Sequence, residues 1–188
     1  VRFSSDSSLQ MAHEIRADSM AILVGVDTVI RDDPSLTVRG PEIEPREQPK
    51  RVVVDPNDRI PKDCKLMVDS EAPTLLIQSS EHDSSRDEQH VERVVIPEEE
   101  IPIARILDML GDMGVQSLLV EGGLDTWSRF LDSGLVDRVR VSVSPVELTH
   151  DGAQCFDLSV LEEHGFSIVS ETEADGDKVT IWEIPEKR

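Results

Sequence analysis

Tyrosine is absent from the sequence, and aromatic residues of all kinds occupy only 3% of its 188 positions. The hydrophobic residues, 38% of the chain, are therefore mainly valine, leucine, isoleucine and alanine, and these must build the core. This length suits one domain with a proper core. No apolar run is long enough to cross a membrane, and no signal peptide is present. We expect one domain over residues 1–188, located in the cytoplasm.

Cysteine is also scarce, since only Cys64 and Cys155 are present. Two cysteines cannot form a disulfide framework, and a reducing compartment is expected. The histidines are scattered, with no His-Glu-x-x-His pattern and no paired Cys-x-x-Cys, so we expect no metal site and histidines in surface or loop positions. A Gly-x-Ser-x-Gly elbow, a Walker phosphate loop and the Rossmann glycine fingerprint are missing as well.

Basic residues are few relative to acidic ones. The chain has 39 acidic and 19 basic residues, 14 of them arginine, which gives a formal net charge of -20. Such a charge repels nucleic acids and anionic membranes, so neither is an expected partner. One interpretation is adaptation to a salty cytoplasm, because at about 1 M salt the Debye length falls to about 3 Å and self-repulsion is screened. The alternative is an ordinary acidic protein.

The most informative stretch that is present is Ser117–Leu131, SLLVEGGLDTWSRFL. An apolar run typical of a buried strand meets Glu121 and then Gly122 and Gly123. A helical pattern follows and Gly134 ends it, with one apolar face formed by Leu124, Trp127, Phe130 and Leu131. A strand that leads through glycines into a helix N-terminus can bind an anion, because its free N–H groups point toward the ligand. Glu121 is expected to face a different, cationic or hydroxyl-rich ligand; the alternative is a plain turn with an exposed carboxylate.

Short apolar runs alternate with helical patterns along most of the chain. Buried strands are predicted at Ala21–Val24 and Arg51–Asp55, and further strands at Thr74–Gln78 and Val91–Ile96. Leu36–Arg39 is predicted to be extended. Near the C-terminus, Asp-Gly within Ala174–Asp177 predicts a β-hairpin. The expected fold is α/β, with a mostly parallel central sheet covered by helices on both faces and a C-terminal antiparallel hairpin. Ligands of such sheets bind beyond the carboxyl ends of the strands, so Gly25–Arg39 and Glu121–Ser128 are the candidate walls of one cleft.

The first of these walls concentrates residues that suit a nucleotide. Asp32 can hold ribose hydroxyls or a carboxamide, and Arg39 can bind a phosphate through its guanidinium fork. Asp33 before Pro34 has a structural explanation as a turn former. Arg16, on the first predicted helix, can add a second positive charge, although an exposed helical arginine explains it equally well.

Taken together, Gly25–Arg39 and Leu118–Val139 resemble the reductase family of riboflavin biosynthesis, the RibD C-terminal type. The stretch that begins RVVVDPNDRIP at Arg51 is similar to a third block of that family. The resemblance covers roughly Ser4 to Ser144. It implies a dihydrofolate-reductase-like fold, NADPH as hydride donor with NADH as the other option, and a homodimer. It also implies a small phosphorylated substrate, a ribosylamino-pyrimidine whose ribose chain is reduced to ribityl.

The resemblance also assigns residues to the cofactor and the substrate. It places Arg16, Leu36, Arg39 and Glu121 at the substrate. Asp32 and Glu121 are the candidate catalytic residues, Asp32 orienting ribose and nicotinamide and Glu121 holding the pyrimidine or the opened sugar. The cofactor contacts that it implies are Thr28, Asp32, Gly122, Gly123, Leu124, Asp125, Thr126, Trp127 and Ser128.

Three features depart from the family pattern. Pro56 stands where the family often has a serine that contacts the cofactor. Val146–Gly152 lacks a common Gly-Gly pair. The family's first strand and its Asp-Gly-Lys-type turn do not precede Val1, so that strand is expected to be missing. Two alternatives therefore stay open beside the riboflavin reductase: reduction of a pterin or other heterocycle on the same fold, and a nucleotide-binding module without catalysis.

Overall fold

The computed structural model describes residues 5–40, 47–81, 89–145 and 157–185. The chain divides into two compact units, one of His13–Arg129 and one that joins Val1–Ala12 to Phe130–Arg188. The prediction of a single domain over residues 1–188 stays a prediction.

The helices are α1 Asp6–Ala17, α2 Val26–Asp32, α3 Lys65–Val68, α4 Ile103–Asp112, α5 Leu124–Asp132 and α6 Ser159–Glu163. The strands are β1 Ala21–Gly25, β2 Lys50–Val54, β3 Thr74–Gln78, β4 Val91–Val95, β5 Leu118–Val120, β6 Arg138–Val143, β7 Ser167–Ala174 and β8 Asp177–Glu183.

The unit of residues 13–129 contains a five-stranded parallel sheet in the order β4-β3-β2-β1-β5. Leu23 of β1 lies in register with Val52 of β2 on one side and Val120 of β5 on the other. Every residue of β3 is buried, as are the first four residues of β1 and the last four of β2. Because successive side chains point to opposite faces, this burial means that both faces of the central strands are covered. The mostly parallel sheet predicted from the apolar runs is confirmed.

Aliphatic side chains form the core of this unit, as the scarcity of aromatics requires. Three residues of α4 at helical spacing, Ile103, Ile106 and Leu110, are buried, whereas Leu107 is half-buried. A cluster beneath β1 and β2 joins strand residues such as Ile22 to residues of α2 and α3. The sequence patterns did not predict α3, which is a single helical turn.

The end of α2 shows why the chain turns there. Asp33 caps the helix with a left-handed φ of 39°, and its N–H donates to the Val29 carbonyl. Its carboxylate accepts a hydrogen bond from the Lys65 N–H at 2.8 Å. A left-handed residue before proline cannot continue a helix, so the structural role predicted for Asp33 is confirmed.

The second unit contains an antiparallel sheet in the order β6-β8-β7. The predicted hairpin is confirmed as β7 and β8, and its turn residues Asp175 and Gly176 have φ values of 49° and 89°. Positive φ at both central residues is what a type I′ turn needs, which explains the Asp-Gly pair. The hairpin is part of a larger sheet, because every residue of β6 pairs with a residue of β8. The Val146–Gly152 segment lies outside the described residues.

Candidate functional site

The turn between β5 and α5 has the predicted strand–glycine–helix geometry. The N–H of Glu121 donates to the Leu23 carbonyl at 2.9 Å, so the ladder between β5 and β1 continues one residue past the strand. Gly122 then takes a φ of 130°, a conformation essentially reserved for glycine. The first bond of α5 runs from the Trp127 N–H to the Gly123 carbonyl at 3.2 Å. The N–H groups of the first turn therefore have no partner within the helix, as at any helix start.

This turn packs directly against the turn between β1 and α2. A Cβ added at Gly25 would lie 2.6 Å from Oγ1 of Thr126, and one added at Gly122 would lie 3.1 Å from Oγ1 of Thr28. Both distances are shorter than ordinary van der Waals contact. The two turns therefore interlock at the carboxyl edge of β1 and β5, and each supplies a glycine at the contact. We call this pair of turns, Gly25–Thr28 and Glu121–Thr126, the interlocked turns.

Thr28 and Asp32 share one face of α2, since they are four residues apart. Thr28 begins that face beside Gly122, and Asp32 lies one turn further along. The Asp32 carboxylate accepts two hydrogen bonds from the guanidinium of Arg31, each 2.9 Å long, and its side chain is 49% exposed. The bond from Arg31 lowers the pKa of Asp32. Asp32 is therefore a carboxylate that accepts hydrogen bonds from hydroxyl or amide groups, and it is not a proton donor near neutral pH.

The cationic partner expected for Glu121 is a residue of the protein itself. Nε and Nη2 of Arg16 donate to the two carboxylate oxygens of Glu121, each at 2.7 Å. This is a bidentate fork between two half-buried side chains, 19% and 28% exposed. Arg16 also donates through Nη1 to the Thr37 carbonyl at 3.1 Å. Two of the residues assigned to the substrate are thus one hydrogen-bonded pair, and Arg16 links it to the segment that carries Arg39.

The segment Leu36–Arg39 is not a strand. The prediction of an extended conformation is wrong at Leu36, whose φ of 48° is left-handed. Leu36, Thr37 and Val38 are nevertheless 5% exposed or less. Buried backbone needs hydrogen-bond partners, and here side chains provide them in place of a sheet. We call Leu36–Arg39 the side-chain-held segment.

Arg39 ends this segment with an exposed guanidinium. Its Nε donates to Oγ1 of Thr37 at 3.0 Å, and its Nη2 lies 3.6 Å from a carboxylate oxygen of Glu71. The side chain is 58% exposed. A weakly paired, solvent-facing arginine beside a rigid backbone can still form a fork with an incoming phosphate. The chain of contacts from Arg39 through Thr37 and Arg16 leads to Glu121, the first residue of the glycine turn.

His13 belongs to this group, although the sequence patterns assigned every histidine to surface or loop positions. Its Nδ1 accepts the backbone N–H of Arg39 at 3.2 Å. Burial, followed by the positive charges of Arg16 and Arg39, lowers the pKa of His13. The available signal was its position three residues before Arg16, which puts both side chains on the same side of α1.

The remaining residues assigned to ligands differ in exposure. Leu36 is 2% exposed and packs in the aliphatic cluster, so it offers little side-chain surface to a ligand. Asp125 and Ser128 of α5 are exposed, whereas Leu124, Thr126 and Trp127 are half-buried. These ligand assignments stay predictions.

The interlocked turns fit the phosphate groups of a dinucleotide. Apart from its chain neighbours, no heavy atom of the described residues lies within 4 Å of a Cβ built at Gly123, so space is open there. The N-terminal N–H groups of α5 follow Gly123, and the hydroxyl groups of Thr28 and Thr126 are further donors at the contact between the two turns. Glu121, whose charge would oppose a phosphate, is neutralised by its fork with Arg16.

Within residues 5–40, 47–81, 89–145 and 157–185, no cluster of three or more His, Cys, Asp or Glu side chains is arranged to hold a metal ion. In the same residues, no helix is both long and apolar enough to cross a membrane.

Comparison with known proteins agrees with these features. The model of the RibD C-terminal domain family matches residues 2–173. The chain belongs to this family. It is 34% identical over 157 residues to the riboflavin biosynthesis protein RibD of Aquifex aeolicus, a match covering 84% of this chain and 43% of that protein.

Two further relatives extend the comparison. The chain is 36% identical over 146 residues to a 2,5-diamino-6-ribosylamino-4(3H)-pyrimidinone 5′-phosphate reductase of Methanothermobacter thermautotrophicus, covering 76% of this chain and 67% of that enzyme. A crystal structure of a bifunctional deaminase and 5-amino-6-(5-phosphoribosylamino)uracil reductase from Thermotoga maritima superposes with a TM-score of 0.76 at 27% identity. That match covers 96% of this chain and 49% of that protein. The matches thus cover less than half of the Aquifex aeolicus and Thermotoga maritima proteins and about two thirds of the archaeal reductase. The fold shared with the Thermotoga maritima structure is dihydrofolate-reductase-like.

Proposed function

We propose that this protein is an NADPH-dependent reductase of riboflavin biosynthesis, which converts the ribosyl group of a ribosylamino-pyrimidine 5′-phosphate into a ribityl group. One observation carries the proposal: the interlocked turns adjoin, through the Arg16–Glu121 fork, a segment that ends in an exposed arginine. Donors for a dinucleotide and a cation for a sugar phosphate are thus connected by direct contacts. The names of the relatives support the same reaction.

The cofactor assignment follows from the interlocked turns. The first-turn N–H groups of α5 and the hydroxyls of Thr28 and Thr126 bind the phosphates, while Asp32 accepts hydrogen bonds from ribose hydroxyls or the carboxamide. Bound reduced nicotinamide supplies the hydride. The protein contributes mainly by holding donor and acceptor in a reactive arrangement, a contribution that can reach several kcal/mol, about 7–11 in well-oriented systems.

The substrate assignment follows from the other group of contacts. Arg39 binds the 5′-phosphate with the help of Arg16, which also orients Glu121 through the fork. Glu121 then accepts hydrogen bonds from the pyrimidine amino groups or the opened sugar. Ring opening breaks the bond between C1′ and the ring oxygen, transfers the N–H proton to that oxygen as a hydroxyl and leaves a C1′=N imine. Reduction adds hydride to C1′ and a proton from solvent to the nitrogen, which yields the ribitylamine.

The test is NADPH oxidation, followed by absorbance, with three substrates in parallel: the diaminopyrimidine ribosylamino phosphate, its deaminated counterpart and dihydrofolate. We expect turnover of a ribosylamino-pyrimidine phosphate and none of dihydrofolate. The similarity to the archaeal enzyme favours the diamino compound. Turnover of dihydrofolate alone would overturn the proposal in favour of a pterin reductase, and NADPH binding without turnover of any substrate would favour a binding module. Replacing NADPH by NADH in the same assay decides the cofactor preference.

A further inference from the structure

The side-chain-held segment depends on three separate side chains for its backbone hydrogen bonds. Arg16 binds the Thr37 carbonyl. Gln48 binds both polar groups of Val38, since its Oε1 accepts the Val38 N–H at 2.8 Å and its Nε2 donates to the Val38 carbonyl at 3.1 Å. His13 accepts the N–H of Arg39. Each of three successive residues is therefore fixed by a different side chain, and His13 acts at the arginine itself.

We infer that His13 is a positioning residue for the substrate phosphate: its Nδ1 holds the backbone of Arg39 so that the guanidinium is presented in one orientation. This inference rests on the proposed function, because it takes the phosphate to bind at Arg39. An exposed arginine has several rotatable bonds, and a fixed backbone removes part of the entropy that it loses on binding. His13 thus acts through Arg39 and need not touch the ligand.

The geometry also fixes the protonation state that the role needs. Nδ1 accepts from a backbone N–H, so the neutral ring carries its proton on Nε2. Burial and the charges of Arg16 and Arg39 disfavour the imidazolium, whereas Glu121 and the Thr37 carbonyl favour it, and the net effect is a lowered pKa of His13. His13 is therefore neutral at pH 7. Acidification below the ordinary histidine range protonates Nδ1, breaks its bond to Arg39 and adds repulsion to both arginines.

A pair of substitutions separates the hydrogen bond from packing. His13→Asn keeps an acceptor oxygen close to the position of Nδ1, and His13→Ala removes it. At pH 8 we expect His13→Ala to raise the KM for the phosphorylated substrate about 5- to 10-fold, the effect of one lost hydrogen bond. Its kcat and its KM for NADPH should stay within about twofold of wild type, and His13→Asn should recover most of the lost affinity. His164→Ala, at the C-terminal cap of α6, is the matched control and should change neither constant.

The pH profile tests the same role independently. The substrate KM of the wild type should rise as the pH falls below about 6.5, the ordinary pKa of histidine. The ratio of the wild-type KM to that of His13→Asn cancels the titration of the substrate phosphate, so this ratio should also rise. A falling ratio would mean that the imidazolium binds the phosphate directly, and it would overturn the positioning role. Equal losses in the Asn and Ala variants, or a loss confined to kcat, would overturn it as well.

Amide hydrogen exchange tests the contact between His13 and the Arg39 N–H without any assay of activity. The Arg39 amide should exchange slowly in wild type and His13→Asn and faster in His13→Ala, each measured by NMR at pH 7. Equal exchange in all three proteins would refute the contact itself. If the Arg39 amide behaves as expected but no ribosylamino-pyrimidine phosphate is turned over, the proposed function fails and the contact between His13 and Arg39 stands.

Discussion

Two halves of the candidate site are built in different ways. The interlocked turns meet where the backbone of a glycine in each turn lies against a threonine hydroxyl of the other, closer than ordinary van der Waals contact for an added Cβ. The side-chain-held segment meets its surroundings through hydrogen bonds to a guanidinium, an amide and an imidazole. The first half is fixed by steric exclusion, and the second is fixed by a few directional hydrogen bonds. Substitutions should therefore affect the first half through stability and cofactor affinity, and the second through substrate affinity.

This difference suits the two ligands that we propose. The phosphates of a dinucleotide are bound mainly by N–H groups, and these are positioned wherever the backbone is positioned. A sugar phosphate bound by an arginine depends on side chains whose orientation has to be imposed by neighbours. In this protein the neighbours are Arg16, Gln48 and His13.

The largest effect is expected where the two halves join, at Glu121. Glu121→Gln leaves one acceptor oxygen and places an amide NH₂ group against the Arg16 guanidinium, which breaks half of the fork. We expect kcat/KM for the substrate to fall about 100-fold, equivalent to about 2.7 kcal/mol, and steady-state assays measure it. Glu92→Gln, at an exposed ion pair with Lys50, is the control and should have no effect.

A charge swap distinguishes the role of Glu121 in the ion pair with Arg16 from its proposed role in binding the substrate. The double variant Arg16→Glu with Glu121→Arg can re-form the ion pair. It should recover the melting temperature lost in Glu121→Gln, a loss of a few degrees at about 1 kcal/mol, without recovering activity. Recovery of both would show that Glu121 serves only the fold.

The second largest effect is expected at Arg39. Arg39→Ala removes the charge proposed to bind the phosphate, and hydrogen bonds to charged groups contribute about 1.5–3 kcal/mol. The substrate KM should therefore rise about 10- to 100-fold, while the Kd for NADPH, measured by fluorescence titration, stays unchanged. Arg105→Ala removes an arginine of similar exposure on α4 and is the control. An equal weakening of substrate and NADPH would contradict the division of the site into two halves.

The difference between the two halves also explains which features could be predicted from the sequence alone. The parallel sheet, the hairpin and the strand–glycine–helix turn were predicted because they depend on local patterns: apolar runs, Asp-Gly and paired glycines. The proximity of Gly25–Arg39 to Glu121–Ser128 was predicted because both segments follow strand ends, where ligands of parallel sheets bind.

What escaped prediction depends on contacts between distant residues. Arg16 and Glu121 are far apart in sequence, so their fork could not be foreseen, and each was interpreted separately as a ligand contact. Gln48 lies within the proline-rich, charged stretch Gly40–Pro49, which gives no sign of its bonds to Val38. The left-handed Leu36 was missed because leucine rarely adopts positive φ, and only the surrounding contacts stabilise it there.

A moderate effect is expected at Gly122, and it tests the interlocked turns. Alanine at a φ of 130° is strained, and its Cβ would press on Thr28. We expect Gly122→Ala to lower the free energy of unfolding by about 1–3 kcal/mol and to weaken NADPH about tenfold, a change of about 1.4 kcal/mol. Chemical denaturation and fluorescence titration measure the two quantities.

Gly111 provides the matched control for this substitution. It lies in α4, and no heavy atom lies within 4 Å of a Cβ added there, apart from its chain neighbours and the backbone of its own helix. Gly111→Ala should stabilise the protein by about 0.4–1 kcal/mol, because alanine favours the helix and restricts the unfolded chain. If Gly122→Ala weakened the substrate and left NADPH unchanged, the assignment of the interlocked turns to the cofactor would be wrong.

The smallest effect is expected at Gln48, which supports the side-chain-held segment through its hydrogen bonds to Val38. Gln48→Ala removes two neutral hydrogen bonds to Val38, each contributing about 0.5–1.5 kcal/mol. Part of this loss should be recovered by water, so we expect the substrate KM to rise about three- to tenfold with NADPH affinity unchanged. Gln116→Ala, at an exposed position before β5, is the control.

Val38 directly precedes Arg39, so the double variant Gln48→Ala with His13→Ala should raise the substrate KM by more than the two separate effects combined. Either side chain alone still restrains the segment, whereas the double variant releases it. Simple additivity would mean that the two side chains support Arg39 independently.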